Sequence, residues 1–522
     1  MGHEPNQSVM LNTSALTVEQ VIDVARRGAR VELGEHAIVA IREGRERLER
    51  AMRDGVALYG VNTGFGSLSR QRIDDALLSD VQRNLLLSHA SSTGEPLREE
   101  IVRGAMLLLA GSLARGHSGV RPVVVESLVR LLNANVTPVV PETGSVGASG
   151  DLSPLAHIAI VLLGMGHAIH DGERISSSEA LARAGVEVLV PQAKEGLALI
   201  NGTHIMGAHA TLAWHDSMRL LRVALVAGAM SMDACRATDA FLDERLHALR
   251  CQHGQMRVAD ALRALLRDSQ IVPSHRDDDQ RVQDPYSFRC MPQVLGASLD
   301  MLEHVGTVLR RELGAVTDNP LVCVPDNSHD SIVISGGNFH GMPLALAVDC
   351  GAIAMSHIAG MSERRVYAML AAREPESGLP AHLSPHPGLH SGYMIVQYAS
   401  AACCNEIAHL ASPASVINIP TCAGMEDYNS FGPYAASKLE RITELSRRVI
   451  AMELLCASEA LEHHRPLESS ASVERAHSII RQIVPELSHD RPPSPDIEAI
   501  ESLIRDGSLD SLCTLAPVRG KG

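Results

Sequence analysis

Five long stretches of this 522-residue chain repeat apolar residues with the period of an α-helix: 204–226, 292–313, 343–370, 392–410 and 435–463. Ala and Met interleave with Leu, Val and Ile in each, so helices built on them pack closely. Hydrophobic residues make up 45% of the chain but aromatic residues only 2%. A core of that size must be assembled from aliphatic side chains. Such a composition favours helices over a sandwich or barrel, which draws on Tyr, Phe and Trp. Long helices with short connections predict a bundle.

Shorter helices are expected over 16–27, 36–52, 99–114 and 122–132. Between them, residues 55–66 (GVALYGVNTGFG) and 133–150 carry the glycines, prolines and Asn-Thr pairs of loops. Residues 274–287, 335–341 and 420–433 are polar, Gly-rich or Pro-rich pieces between the long helices, and each holds a cluster of reactive residue types. The tail, 465–522, predicts two more helices parted by a break at 490–496, with Pro495 placed to start the second. The expected organisation is 1–203 for the N-terminal loop-rich region, 204–464 for the long helices and 465–522 for the C-terminal helices.

The net charge of −15 comes without any long basic run, which argues against nucleic-acid binding and for solubility. None of the ten cysteines forms a C-x-x-C pair, so neither a zinc ribbon nor a redox motif is expected, and no metal is. Scattered thiols fit a reducing compartment, the cytoplasm. Residues 1–5 lack the basic and apolar regions of a signal peptide, and Asn6 stands where a myristoylation signal has Ser or Thr. No uninterrupted apolar stretch is long enough for a bilayer, so no membrane partner is expected.

Ala148-Ser149-Gly150 carries a specific chemistry. The amide nitrogen of an unhindered Gly150 is suited to attack the carbonyl of a small Ala148 and close a five-membered ring. Loss of water from Ser149 then leaves an exocyclic methylidene, an electrophile made without an added cofactor. An isolated Ala-Ser-Gly reads instead as a flexible loop or an anion nest.

The surrounding string, GSVGASGDLSPLAH at 144–157, resembles the signature of the aromatic amino-acid ammonia-lyase family, which includes histidine, phenylalanine and tyrosine lyases and related aminomutases. The resemblance extends from about Tyr59 to Asp496. It is carried by YGVNTGFGSL (59–68), LLLSHA (85–90), LALINGT (197–203), VQDPYSFRCMPQV (282–294), AVTDNPL (315–321) and SGGNFHG (335–341). It implies a mainly α fold: a long central helical bundle with a loop-rich N-terminal catalytic region, a fumarase/aspartase-like all-α architecture. It also implies a 4-methylidene-imidazol-5-one formed from Ala148, Ser149 and Gly150 with no external cofactor, a small amino-acid substrate, and a homotetramer whose sites draw on several subunits.

The same resemblance assigns roles. The electrophile would bind the substrate amine and turn it into a better leaving group. Tyr59 would be the base at the β-carbon; a free tyrosine has a pKa of about 10, so a cation or helix N-terminus is expected to activate it. Arg289 would grip the carboxylate with two parallel hydrogen bonds. Asn201 and Tyr286 would donate hydrogen bonds to the electrophile's oxygen. Gln283, Asn319 and Phe339 would line the site, with loop bracing as the other role open to Asn319.

Two positions address the side chain of the substrate. Ser88-His89 matches histidine lyases, where tyrosine lyases carry His-Leu and phenylalanine lyases Phe-Leu. Glu426 stands where histidine lyases have Glu and the other two usually Gln. A carboxylate accepts an imidazole N–H but has no partner on a benzene ring. The family's usual Asn-Gln before that acid is replaced by Gly424-Met425, Cys403-Cys404 departs from the histidine-lyase pattern, and residues 428–431 resemble the phenylalanine branch. A phenylalanine or tyrosine lyase, a 2,3-aminomutase and a non-enzymatic helical scaffold are the alternatives.

Overall fold

The computed structural model describes residues 8–53, 57–276, 279–323 and 332–516. The readings of residues 1–6, 55–56, 277–278 and 517–522 lie outside them. The chain forms two compact units interleaved in sequence. The first comprises Met1–Leu212, Gly306–Val348 and Ala414–Ser437; the second comprises Ala213–Val305, Asp349–Pro413 and Lys438–Gly522. The expected order of three consecutive segments is a different partition, and residues 465–522 fall within the second unit.

The architecture is mainly α. The long periodic stretches form the helices His204–Ala234, Met291–Glu312, Met342–Ala371, Met394–Leu410 and Gly432–Glu462. The shorter expectations are met by Val18–Arg27, Glu35–Arg53, Glu99–Leu113 and Pro122–Asn133. Local chemistry sets their ends. Thr17 Oγ1 accepts the Gln20 N–H at 3.2 Å and Gln20 Oε1 accepts the Thr17 N–H at 2.8 Å. This capping box starts the first helix at Val18, two residues later than apolar spacing suggests. In the tail, Ser470 caps Ala471–Arg481, and Ser494–Asp506 begins with Pro495 in its first turn and stops at Gly507.

In the first unit, helices Glu99–Leu113, Pro122–Asn133 and Leu152–Leu162 bury Met106, Leu109, Leu128, Leu155 and Leu162 in one aliphatic cluster. Short strands edge this core. Thr137–Pro138 pairs with His167–His170, which pairs with Glu173–Ser176; Thr93–Pro96 pairs with Pro141–Thr143. The 133–150 segment is therefore partly strand, a correction to its reading as loop. Strands this short draw their stability from distant partners, which local sequence does not reveal.

In the second unit, polar side chains tie four long helices together. The Trp214 indole donates to the Leu302 carbonyl at 2.6 Å, the Ser217 and Thr443 hydroxyls pair at 2.9 Å, and Ser298 donates to the Ala354 carbonyl at 3.1 Å. Arg365 and Glu453, neither of them exposed, form a two-pronged ion pair at 2.5 and 2.9 Å. Ser231 and Ser362 donate to the same carboxylate at 2.7 and 2.5 Å. Every lone pair that ion pairing leaves on Glu453 thus meets a donor, the condition under which a buried charge pair is tolerated.

Helix Met342–Ala371 is long and apolar enough to cross a membrane by length and composition alone, although Asp349, Glu363, Arg364 and Arg365 interrupt its apolar run. Within its most apolar window 61% of residues are buried in protein, as in the core helix of a bundle.

Candidate active site

The Ala148-Ser149-Gly150 segment lies in the first unit, just before helix Leu152–Leu162. Gly150 has φ +72°. A Cβ there would stand 2.0 Å from the Gly202 carbonyl oxygen. Only glycine fits such a conformation and approach. The approach is a short parallel bridge: the Gly202 N–H donates to Ser149 O at 3.3 Å, and the Asp151 N–H donates to Gly202 O at 2.8 Å. Asp151 is fully buried beneath it, accepting the Met206 N–H at 2.9 Å and the Ser145 hydroxyl at 3.2 Å. Burial outweighs these donors and pushes its carboxyl up to about 7.

Two cavities flank the segment, of about 220 and 780 Å³. Ser88, His89, Leu152 and Glu426 line both; Ala148 and Gly150 line the smaller, and Tyr59, Ser149 and Asn201 the larger. The Ser149 hydroxyl donates to Glu426 Oε1 at 3.3 Å, and the Thr421 hydroxyl to Glu426 Oε2 at 2.9 Å. Glu426 is held by a tight turn in which Thr421 and Glu426 pair through their backbones, while Cys422, Ala423 and Gly424 all take positive φ. Gly424 in place of the family's usual Asn suits that left-handed turn. Met425 also lines the larger cavity, so that departure from the usual pattern reaches the site wall.

His89 ends helix Leu78–His89. Its Nδ1 is 2.9 Å from the Leu85 carbonyl oxygen. A carbonyl only accepts, so Nδ1 carries the proton and Nε2 is left as an acceptor. Burial lowers the imidazole pKa below its ordinary value, while the Leu85 carbonyl and the Glu426 charge oppose this.

Tyr59 accepts the Gly66 N–H on its phenolic oxygen at 3.1 Å. Its pKa is raised, foremost by burial and further by Glu426 and Cys422, against the Gly66 hydrogen bond. This corrects the expectation of a cation or helix N-terminus activating the phenol: within this unit its neighbours are a carboxylate and a thiol, which disfavour the phenolate.

Asn201 caps the end of helix Glu195–Ile200. Its Nδ2 donates to Asn319 O at 2.9 Å and reaches Asp318 Oδ1 at 3.4 Å. The amide hydrogens expected for the electrophile's oxygen are therefore committed elsewhere. Asn319 lines the cavity and also braces a loop, its Oδ1 accepting the Gly336 N–H at 2.7 Å. Phe339 lines the same cavity. Sequence reasoning missed the buried Lys194–Asp318 ion pair behind Asn201. Asp318 stands in the AVTDNPL string, whereas Lys194 lies in no motif.

Gln283, Tyr286 and Arg289 belong to the second unit and are not among the residues lining these cavities. Tyr286–Arg289 is a single helical turn. The Arg289 guanidinium lies 4.5 Å over the Tyr286 ring, and its Nε donates to Asp284 O at 2.9 Å. Tyr286 is 68% exposed. Asp284 in turn accepts the Thr238 N–H at 2.9 Å, and Arg281 pairs with Asp279 at 2.8 Å. The turn is thus pinned at its base with its aromatic ring outward.

Long helices carry a glycine-bent, serine-centred turn lined by tyrosine, histidine and glutamate, and the comparisons identify the chain as a carbon–nitrogen lyase. Residues 16–482 match the family described as aromatic amino acid lyase. The histidine ammonia-lyase of Symbiobacterium thermophilum is 47% identical over 495 residues, covering 95% of this chain and 96% of that protein. Among solved structures, histidine ammonia-lyase from Trypanosoma cruzi superposes with a TM-score of 0.88 at 35% identity, covering 99% of this chain and 100% of that one. Tyrosine aminomutase from Streptomyces globisporus gives 0.90 at 31% identity, covering 97% and 98%. This chain belongs to the aromatic amino acid lyase family.

Proposed function

We propose that this enzyme eliminates ammonia from L-histidine to give urocanate. The observation that carries the reading is the Glu426 carboxylate beside Ser149, in a cavity shared with His89. A carboxylate and a neutral imidazole acceptor suit a ring bearing N–H groups; against a phenyl ring the carboxylate would stand unpaired. When the Ser149 hydroxyl leaves as water, Glu426 Oε1 loses its donor and becomes available to an imidazole N–H. The 47% identity to a histidine ammonia-lyase supports the same substrate.

The residues present fit a 4-methylidene-imidazol-5-one derived from Ala148, Ser149 and Gly150. Gly150 has the glycine-only backbone, Ala148 is small and buried, and the Ser149 hydroxyl is held in place by a hydrogen bond to Glu426. That group would supply the electrophile that makes the substrate amine a leaving group. Tyr59 removes the β-proton in this reading. Because its own unit raises its pKa, activation must come with the substrate or from elsewhere in the assembly. Arg289 is the carboxylate clamp, and Gln283 and Tyr286 act beside it. The Arg289 Nε donates to the Asp284 carbonyl, and the pair of Nη groups presents a two-pronged face to a ligand.

We place these sites in a homotetramer in the cytoplasm, each site drawing on several subunits; a monomer by light scattering overturns the assembly. The activity is tested by offering L-histidine, L-tyrosine and L-phenylalanine separately and following ultraviolet absorbance and free ammonia. Urocanate with ammonia from L-histidine is the expected result. Turnover of the other two alone, or a β-amino acid product without ammonia, overturns it in favour of another lyase or an aminomutase. The peptide spanning 148–150 should be lighter by two water molecules, and Ser149→Ala should retain the unmodified mass and lose turnover.

A further inference from the structure

Asn201 and Lys194 sit at opposite ends of one short helix. Lys194, with φ +74°, precedes Glu195–Ile200, and Asn201 follows it. Both are buried, Lys194 completely and Asn201 to 2% exposure. Asp318 joins them: its Oδ2 takes the Lys194 ammonium, and its Oδ1 accepts the Asn319 N–H at 2.6 Å and lies 3.4 Å from Asn201 Nδ2. With Asn319 O as the second acceptor at 2.9 Å, both neighbours of the Asn201 amide are acceptor-only oxygens. They fix the orientation of the amide, with NH2 toward Asp318 and Asn319.

The consequence is an uncommitted oxygen. Asn201 Oδ1 is buried and has no hydrogen-bond partner, although the residue lines the larger cavity. Buried acceptors are rarely left in this state. The next residue, Gly202, bridges Gly150, so this oxygen belongs to a residue tethered to the electrophile segment itself. A carboxylate or the electrophile's own carbonyl has only lone pairs to offer and would be repelled. A substrate ammonium has three N–H donors and no acceptor.

We propose that the Lys194–Asp318 pair is a positioning device that locks the Asn201 amide oxygen free, and that this oxygen accepts an N–H of the substrate's α-ammonium. The inference rests on the amino-acid substrate proposed above. It reverses the hydrogen-bond sense expected for Asn201, from donor toward the electrophile to acceptor from the substrate. In Asp318→Asn the new side-chain NH2 offers Asn201 a donor, the amide is free to turn, and the acceptor is lost to the ammonium.

The test uses the full-length protein carrying Ser149→Ala, which binds without turnover, and compares L-histidine with urocanate, which lacks the ammonium. Adding Asp318→Asn should weaken L-histidine about tenfold or more, the scale of one hydrogen bond to a charged group, while urocanate changes by less than about threefold. Lys194→Met/Asp318→Asn, which leaves no unpaired buried charge, should show the same selective loss with a melting temperature close to that of the parent. Asn201→Leu, of similar volume, should reproduce it without touching the ion pair. Equal weakening of both ligands, or none of either, overturns the proposal. Failure of the natural enzyme to convert L-histidine overturns the functional reading instead.

Discussion

The Ser149 hydroxyl donates to Glu426 Oε1 at 3.3 Å across 277 positions of sequence. One carboxylate therefore touches the residue proposed to lose its hydroxyl, and in that reaction the same carboxylate would later stand free in the cavity wall. Its second oxygen is anchored by Thr421, so the free oxygen keeps a fixed direction.

Glu426→Gln keeps shape and removes charge. Turnover of L-histidine should fall by about 10- to 100-fold, corresponding to a charge-assisted hydrogen bond of about 1.5–3 kcal/mol. Any residual turnover of L-phenylalanine, whose ring has no N–H, should be nearly unchanged. Steady-state kinetics on both substrates decide this, and equal losses on the two remove Glu426 as the selector.

His89 should set the acid side of the activity profile. Its pKa is lowered by burial, with the Leu85 carbonyl and Glu426 pulling the other way. The neutral form thus persists below the ordinary value of about 6.5, and the acid limb of kcat/KM should lie below that pH. In Glu426→Gln the opposing charge is gone, so the limb should move further down. A limb that stays in place shows that it belongs to another group.

Asp151 gives stability a definite slope with pH. Its folded value of about 7 lies above the ordinary carboxylate value, so the folded protein holds this proton after the unfolded chain has released it. Its contribution is full below about pH 4 and is lost as pH rises toward 7. Buried His204 and His209, lowered to about 4 and 3, slope the other way between about pH 4 and 6.5. The comparison is therefore between wild type and Asp151→Asn: the variant should gain melting temperature relative to wild type from pH 5 to pH 8. Parallel curves overturn the assignment.

Arg365→Met strands Glu453 in the second unit's core and should destabilise it by about 3–5 kcal/mol. Arg365→Met/Glu453→Leu should recover most of that loss, because an apolar pair of similar volume avoids both desolvation costs. Denaturant melts of the two variants measure this. Equal losses show that the serine hydroxyls around Glu453, not the charge, dominate.

Much of this was legible along the chain. Helical periodicity located the five long helices to within a few residues at most of their ends, apart from His204–Ala234, which runs eight residues past its expected end. Motif strings located Tyr59, His89 and Ser149, and a single family-matched position located Glu426; all four line the larger cavity. The short strands at 137–138 and 141–143 were not legible, because each is stabilised by a partner remote in sequence. The electrostatic state of Tyr59 was misjudged for the same reason: no local pattern shows that its charged neighbour is Glu426.

The sequence by itself determined that Ala148-Ser149-Gly150 is set among small, turn-forming residues, a property that backbone chemistry and residue size confer locally. The tertiary structure alone decided that Gly202 would close on Gly150 and that Glu426 would meet Ser149. It also decided that Lys194 and Asp318 would fix the amide of Asn201. Hydrogen bonds and charges act over a few ångströms of space, and only the packed chain sets which distant residues come that near.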